Sequence, residues 1–153
     1  MATNDTGRGA SDASITSGDP PPLRLVAPIY LQSALTSCPS CSELTVVHAL
    51  VASDLVDLGE SVKAPSYVFG ITNPPQALLR AIAPHAPHMR LVESRTHGGD
   101  YLANVCQHCG EVQGDFHLHM DQDGPFVGRP PPGHFGIVVL QQDLFLAEAS
   151  YSA

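Results

Sequence analysis

All four cysteines of the chain stand in two Cys-x-x-Cys pairs, Cys38/Cys41 and Cys106/Cys109, and none is left over. No other feature restricts the fold as much, because a Cys-x-x-Cys turn curls back and aims both sulfurs at one centre. Four such thiolates fill the tetrahedral coordination of a single Zn2+ at about 2.3 Å. Pro39 stiffens the first turn, and Gly110 follows the second pair, where a positive φ is often needed and glycine adopts it cheaply. Ser42 holds the matching place in the first turn and is a weaker fit.

Residues 42–105 separate the pairs, whereas a compact zinc ribbon has roughly 15–20 residues there. Two doublings of loop length cost on the order of 1 kcal/mol, against roughly 10–16 kcal/mol for a structural zinc site. One shared, structural Zn2+ held by Cys38, Cys41, Cys106 and Cys109 is therefore the leading expectation. Two alternatives stay open. Cys38-Pro-Ser-Cys41 has the outline of a redox dithiol, but such motifs precede a helix and here a strand-like run follows. Two structural disulfides would require an exported protein.

The formal net charge is −8, with Lys63 as the one lysine and Arg80, Arg90, Arg95 and Arg129 standing apart. Thiolates around a metal make this balance more acidic still. A nucleic-acid binder depends on clustered cations to neutralise phosphates, so that class is disfavoured, although zinc ribbons include such binders. Residues 1–22 are polar, rich in small residues and end in Pro20–Pro22. They have no apolar core of a secretory signal, and no run in the chain approaches the length of a membrane span. They are expected to be a disordered tail preceding a single zinc-stabilised domain at 23–153, in a cytoplasmic protein.

Within that domain, Leu23–Leu35 reads as one or two short strands and Glu43–Ala52 as a strand buried on both faces. Residues 53–66 read as a polar connection, and Tyr67–Ile71 as a short strand. Asn73-Pro-Pro-Gln76 reads as a helix start, with the helix stopping before Pro84. Residues 89–96 form a strand, His97–Asp100 a hairpin turn, and Tyr101–Cys106 the returning strand. Asp115–Met120 alternates as a strand would, with Phe116, Leu118 and Met120 on one face and His117 and His119 on the other. Residues 121–136 form a loop, and 137–149 fit either a strand or a helix.

Two imidazoles at His117 and His119, with Asp121 beyond them, could hold a catalytic metal with an open position. A solvated strand face explains the same residues. His108 lies inside the second turn and is expected to be exposed. His85 and His88 sit in a proline-broken loop, and His48 in an apolar strand reads as a hydrogen-bonded core histidine. No phosphate-binding glycine loop, Gly-x-Ser-x-Gly or His-Glu-x-x-His motif is present.

The run Tyr101-x-x-Asn104-x-Cys106-x-x-Cys109-Gly110-x-x-Gln113-Gly114-Asp115-Phe116, with an earlier Cys-x-x-Cys leading into an apolar strand, resembles a group of uncharacterised bacterial zinc-ribbon-like proteins. The resemblance covers about Ile29–Phe126. It implies the four cysteines as ligands, implies no activity, and leaves Asn104, Gln113, Gly114 and Asp115 as motif positions without assigned roles. Independently of it, an aspartate at 115 could accept N–H bonds from the adjacent turn and support the second knuckle from outside the ligand set.

The expected fold is α+β, mostly antiparallel β, with zinc-ribbon-like knuckles, a short inserted helix and extra strands. The expected function is a non-enzymatic structural zinc module for protein interaction. A nucleic-acid-binding zinc ribbon and a metal-dependent hydrolase using His117, His119 and Asp121 are the alternatives.

Overall fold

A computed structural model describes residues 23–94 and 99–152. The expected tail at 1–22 lies outside them, as do His97 and Gly98 of the expected turn. Among the described residues ten strands join into one sheet in which every pairing is antiparallel. The path β5-β6-β4-β2-β1-β8 forms its body.

The long hairpin of β1 (Leu23–Ser37) and β2 (Leu44–Asp57) is the spine. Its strands feed two cores because successive side chains point to opposite faces. On one face, Leu25, Ile29, Leu31, Leu50 and Leu55 pack with Leu78, Ile82 and Leu102. On the other, Val47, Ala49 and Val51 pack with Tyr67, Leu118 and Phe126. This two-sided burial is why Glu43–Ala52 reads as an almost unbroken apolar run. It also corrects two expectations. The first strand is one 15-residue element, and the polar connection at 53–66 is mostly strand. Leu55 faces the first core with no exposure while Asp54 and Asp57 are half-buried, Asp57 accepting the Tyr151 hydroxyl at 2.7 Å, and β2 then turns into β3 (Glu60–Val62).

β4 (Ser66–Thr72) follows, then α1 (Gln76–Ile82). Pro75 is the N-cap with φ −66° rather than the first helical residue, and Leu78 and Ile82, one turn apart, anchor the helix. β5 (Met89–Ser94) pairs with β6 (Gly99–Val105), which continues into β7 (Val112–Gln113). The stretch at 137–149 resolves into β8 (Ile137–Leu140) and β9 (Leu144–Leu146), with β10 (Glu148–Tyr151) after them.

Phe116–Met120 is not a strand but a single π-helical turn, closed by the Asp121 N–H on the Phe116 carbonyl at 2.7 Å. Adjacent Leu118 and His119 are buried while Phe116 and Met120 are exposed, so the alternating pattern does not mark a sheet face. The Phe126 N–H bonds the Leu118 carbonyl at 2.9 Å, which pins the turn to the following loop.

β2 and β6 lie in succession along one side of β4. β4 pairs β2 at Ser66–Val68 and meets β6 at Thr72↔Tyr101, with Gly70 at φ +63° between. β6 therefore runs up beside the start of β2, the end of the sheet that carries the cysteines.

Candidate metal centre

The two Cys-x-x-Cys turns fold alike. In the first, the Cys38 N–H donates to the Glu43 carbonyl at 2.9 Å and the Ser42 N–H to the Cys38 carbonyl at 2.8 Å. In the second, the Cys106 N–H donates to the Glu111 carbonyl at 2.8 Å and the Gly110 N–H to the Cys106 carbonyl at 3.0 Å. Each turn needs one left-handed residue at the same place: Gly110 has φ +80° and Ser42 φ +67°. A serine held there carries steric strain that glycine avoids.

The second knuckle is fastened to the start of β2 by side chains. The Asn104 carboxamide accepts the His48 N–H at 2.8 Å and donates to the His48 carbonyl at 2.9 Å. The Gln107 N–H donates to the Thr45 hydroxyl at 3.0 Å, and the His108 Nε2–H to the Leu44 carbonyl at 2.9 Å. Because Cys41 lies just before β2 and Cys106 just after β6, these contacts place the two knuckles face to face.

The result is one cluster. Cys38 Sγ is 3.6 Å from Cys109 Sγ, Cys41 Sγ is 3.7 Å from Cys106 Sγ, and all four sulfurs lie within 4.8 Å of one another. A tetrahedron with metal–sulfur bonds of about 2.3 Å has edges of about 3.8 Å. The residues thus fit a four-thiolate metal ion. All four cysteines are free thiols, with Cys38 and Cys106 buried, Cys41 half-buried and Cys109 exposed.

Their protonation supports the same fit. The Cys41 N–H, above all, pulls the Cys38 thiol down to about 6, with Ser40, Gln113 and Cys109 assisting against burial. Cys41 is pushed up to about 12: the Glu43 N–H lowers it, but burial and the neighbouring sulfurs together prevail. Burial raises Cys106, yet the N–H groups of Cys109 and His108 bring it below its ordinary value. The Glu111 N–H lowers Cys109, while burial and the sulfurs of Cys38 and Cys106 carry it up. A dication held by these sulfurs would displace their protons.

Gln113 is the side chain that reaches a sulfur. It is 2% exposed, and its amide nitrogen donates to Cys38 Sγ at 3.3 Å and to the Glu111 carbonyl at 3.2 Å. The Glu111 carbonyl only accepts, which fixes the amide orientation, and the Gln113 Oε1 is buried without a partner among the described residues. The Asp115 carboxylate lies beside Gly70, and after burial its charge is the next cause that raises the Tyr101 hydroxyl.

Among the described residues, His117 and His119 turn to different surroundings. His119 is 7% exposed and stacked on Phe69, with ring centroids 4.2 Å apart and planes at 15°. His117 instead contacts the Thr36 hydroxyl through Nε2 at 3.2 Å, and its Nδ1 is 4.0 Å from Asp121. Among the described residues, the four cysteines are the one group of three or more His, Cys, Asp or Glu close enough for a metal. His108 and His85 are exposed and His88 half-buried, while His48 is buried with Nδ1 bonded to the Ser33 hydroxyl at 2.8 Å. Sequence reasoning flagged Asn104 and Gln113 only as motif positions and passed over Thr45, because side-chain clamps leave no spacing signal.

Comparison with family models, with curated proteins and with solved structures finds no match. Among the described residues no helix is long and apolar enough to cross a membrane.

Proposed function

We propose that the four cysteines hold one structural Zn2+ in a zinc-ribbon-like centre, and that the domain is a non-enzymatic module for binding another protein. The observation that carries the zinc reading is the convergence of four thiols, from knuckles more than sixty residues apart in sequence, at the edge lengths of a zinc–thiolate tetrahedron. When bound, the ion ties the β1–β2 hairpin to the β6–β7 unit. Exposed apolar side chains support the interaction reading: Leu35 and Leu44 on the hairpin end, and Phe116 and Met120 on the π-turn, are each more than half exposed. Asp115 is proposed to steady the second knuckle from outside the ligand set. Unchanged metal affinity and melting temperature in Asp115→Ala would remove that role.

Native mass spectrometry of protein purified without added metal or chelator tests the zinc reading. One zinc per chain, lost when all four cysteines are alkylated, is the expected result. A metal-free chain with paired thiols overturns it in favour of redox chemistry, and two metals per chain would reopen the hydrolase alternative.

A further inference from the structure

The four sulfurs are unequally guarded. Cys38 is 1% exposed and receives three N–H groups, from the backbone of Ser40 and Cys41 and from the Gln113 amide. Cys106 is 2% exposed and receives two, from Cys109 and His108. Cys41 is half-buried and receives one, from Glu43. Cys109 also receives one, from Glu111, but it is exposed.

A hydrogen bond to a thiolate draws charge from the lone pair that would otherwise attack an electrophile, and burial keeps the electrophile out. Cys41 and Cys109 share the lowest number of N–H donors, and of the two Cys109 is the exposed residue. We propose that Cys109 is a covalent modification site, the metal-bound thiolate that reacts with soft carbon electrophiles ahead of the other three. This rests on the zinc reading above. In the step, a Cys109 Sγ lone pair forms a sulfur–carbon bond and the bond from carbon to its leaving group breaks, that group departing with the electron pair. The product thioether is neutral and a poor metal ligand, so one corner of the tetrahedron opens.

The knuckle itself stays seated, because Asn104, Gln107 and His108 fasten it to β2 without using a sulfur. Modification at Cys109 is thus separable from unfolding. Gln113 sets the other end of the gradient, since its amide is the one side-chain donor on Cys38 other than a cysteine.

The test is limited alkylation of the zinc-loaded full chain with iodoacetamide, with peptide mapping by mass spectrometry and zinc release followed by an indicator dye. Cys109 is expected to carry the first label with at least about fivefold preference over any other cysteine. Gln113→Leu is expected to raise labelling of Cys38 several-fold and leave the Cys109 rate unchanged. First labelling at Cys41, or even labelling of a zinc-loaded chain, overturns the proposal; an unchanged Cys38 rate in Gln113→Leu overturns the role of the amide. A chain that purifies without zinc and labels all four positions as free thiols overturns the zinc reading and this inference with it.

Discussion

The carboxamide of Asn104 stands in for a strand's peptide group against His48, accepting its N–H at 2.8 Å and donating to its carbonyl at 2.9 Å. Among the described residues no ladder pairing connects β6 to β2. A side chain therefore closes a seam in the sheet two residues before Cys106, and the position of the second knuckle depends on it.

Asn104→Ala leaves both backbone groups of His48 without these partners in a buried place. Each buried unsatisfied group costs about 1–3 kcal/mol, so a loss of about 2–4 kcal/mol is expected in urea unfolding of the metal-free chain. Metal affinity falls as well, because the cysteine pairs are no longer held face to face. An unchanged urea midpoint would show that the seam carries no stability.

His119 makes stability depend on pH. Burial pushes its pKa from 6.5 down to about 4. Between those values the unfolded chain takes up the proton more readily, so stability is full above about pH 6.5, falls as pH drops and levels off near pH 4. Between pH 7.5 and 4.5 the loss from this group is about 2–3 kcal/mol. His119→Phe, which keeps a ring against Phe69, removes that share of the slope. Metal release in acid affects both proteins, so the difference between their urea midpoints isolates the histidine.

The two left-handed positions respond in opposite directions. Among the described residues only the Arg90 side chain comes within 4.0 Å of a Cβ placed at Gly110, so Gly110→Ala probes chiefly the backbone. A loss of about 1–2 kcal/mol is expected there. Ser42→Gly relieves the strain at φ +67° and is expected to gain about 0.5–1 kcal/mol, reduced from the full relief by glycine's greater freedom when unfolded. Thermal melts of the metal-loaded proteins decide both. Equal shifts of one sign would mean that the knuckles are not equivalent.

Removing the metal lowers the melting temperature and spares the sheet. The cores around Leu50 and Val51 contain no metal ligand. Binding at a thousandfold excess over Kd contributes about 4 kcal/mol, which for a domain of this size corresponds to a fall on the order of 10–15 °C. Far-ultraviolet circular dichroism with and without chelator should superimpose at 20 °C.

The cysteine cluster was legible because thiol chemistry and turn geometry leave few uses for two matched Cys-x-x-Cys turns. The strands around Ile29 and Val47 and the helix at Leu78 were legible because apolar periodicity and proline placement are local signals. Asp54 and Asp57 hid the second half of β2, since their charges suggest a loop until Leu55 is seen packed between them. Phe116–Met120 misled for a different reason: five alternating residues satisfy a strand and also one helical turn. The contacts that select the turn, among them Phe126 N–H on the Leu118 carbonyl, come from a loop whose position depends on the whole fold. Gln113 and Asn104 act across 75 and 56 positions of sequence, where no local pattern reports them.

The unequal reach of the two knuckles sets an order of assembly. The first is the tip of a hairpin whose strands meet at Ser37↔Leu44, a contact the chain closes locally and early. The second is expected to close later, after α1 and the β5–β6 pair, since its anchor spans 56 positions. An ion present during refolding is therefore expected to meet two sulfurs first and all four only at the end, so that its final binding would report the slowest step. Refolding in the presence of Co2+, whose absorption responds to the number of bound thiolates, should show a fast phase of weak absorption followed by a slow rise to the intense bands of a tetrahedral thiolate site.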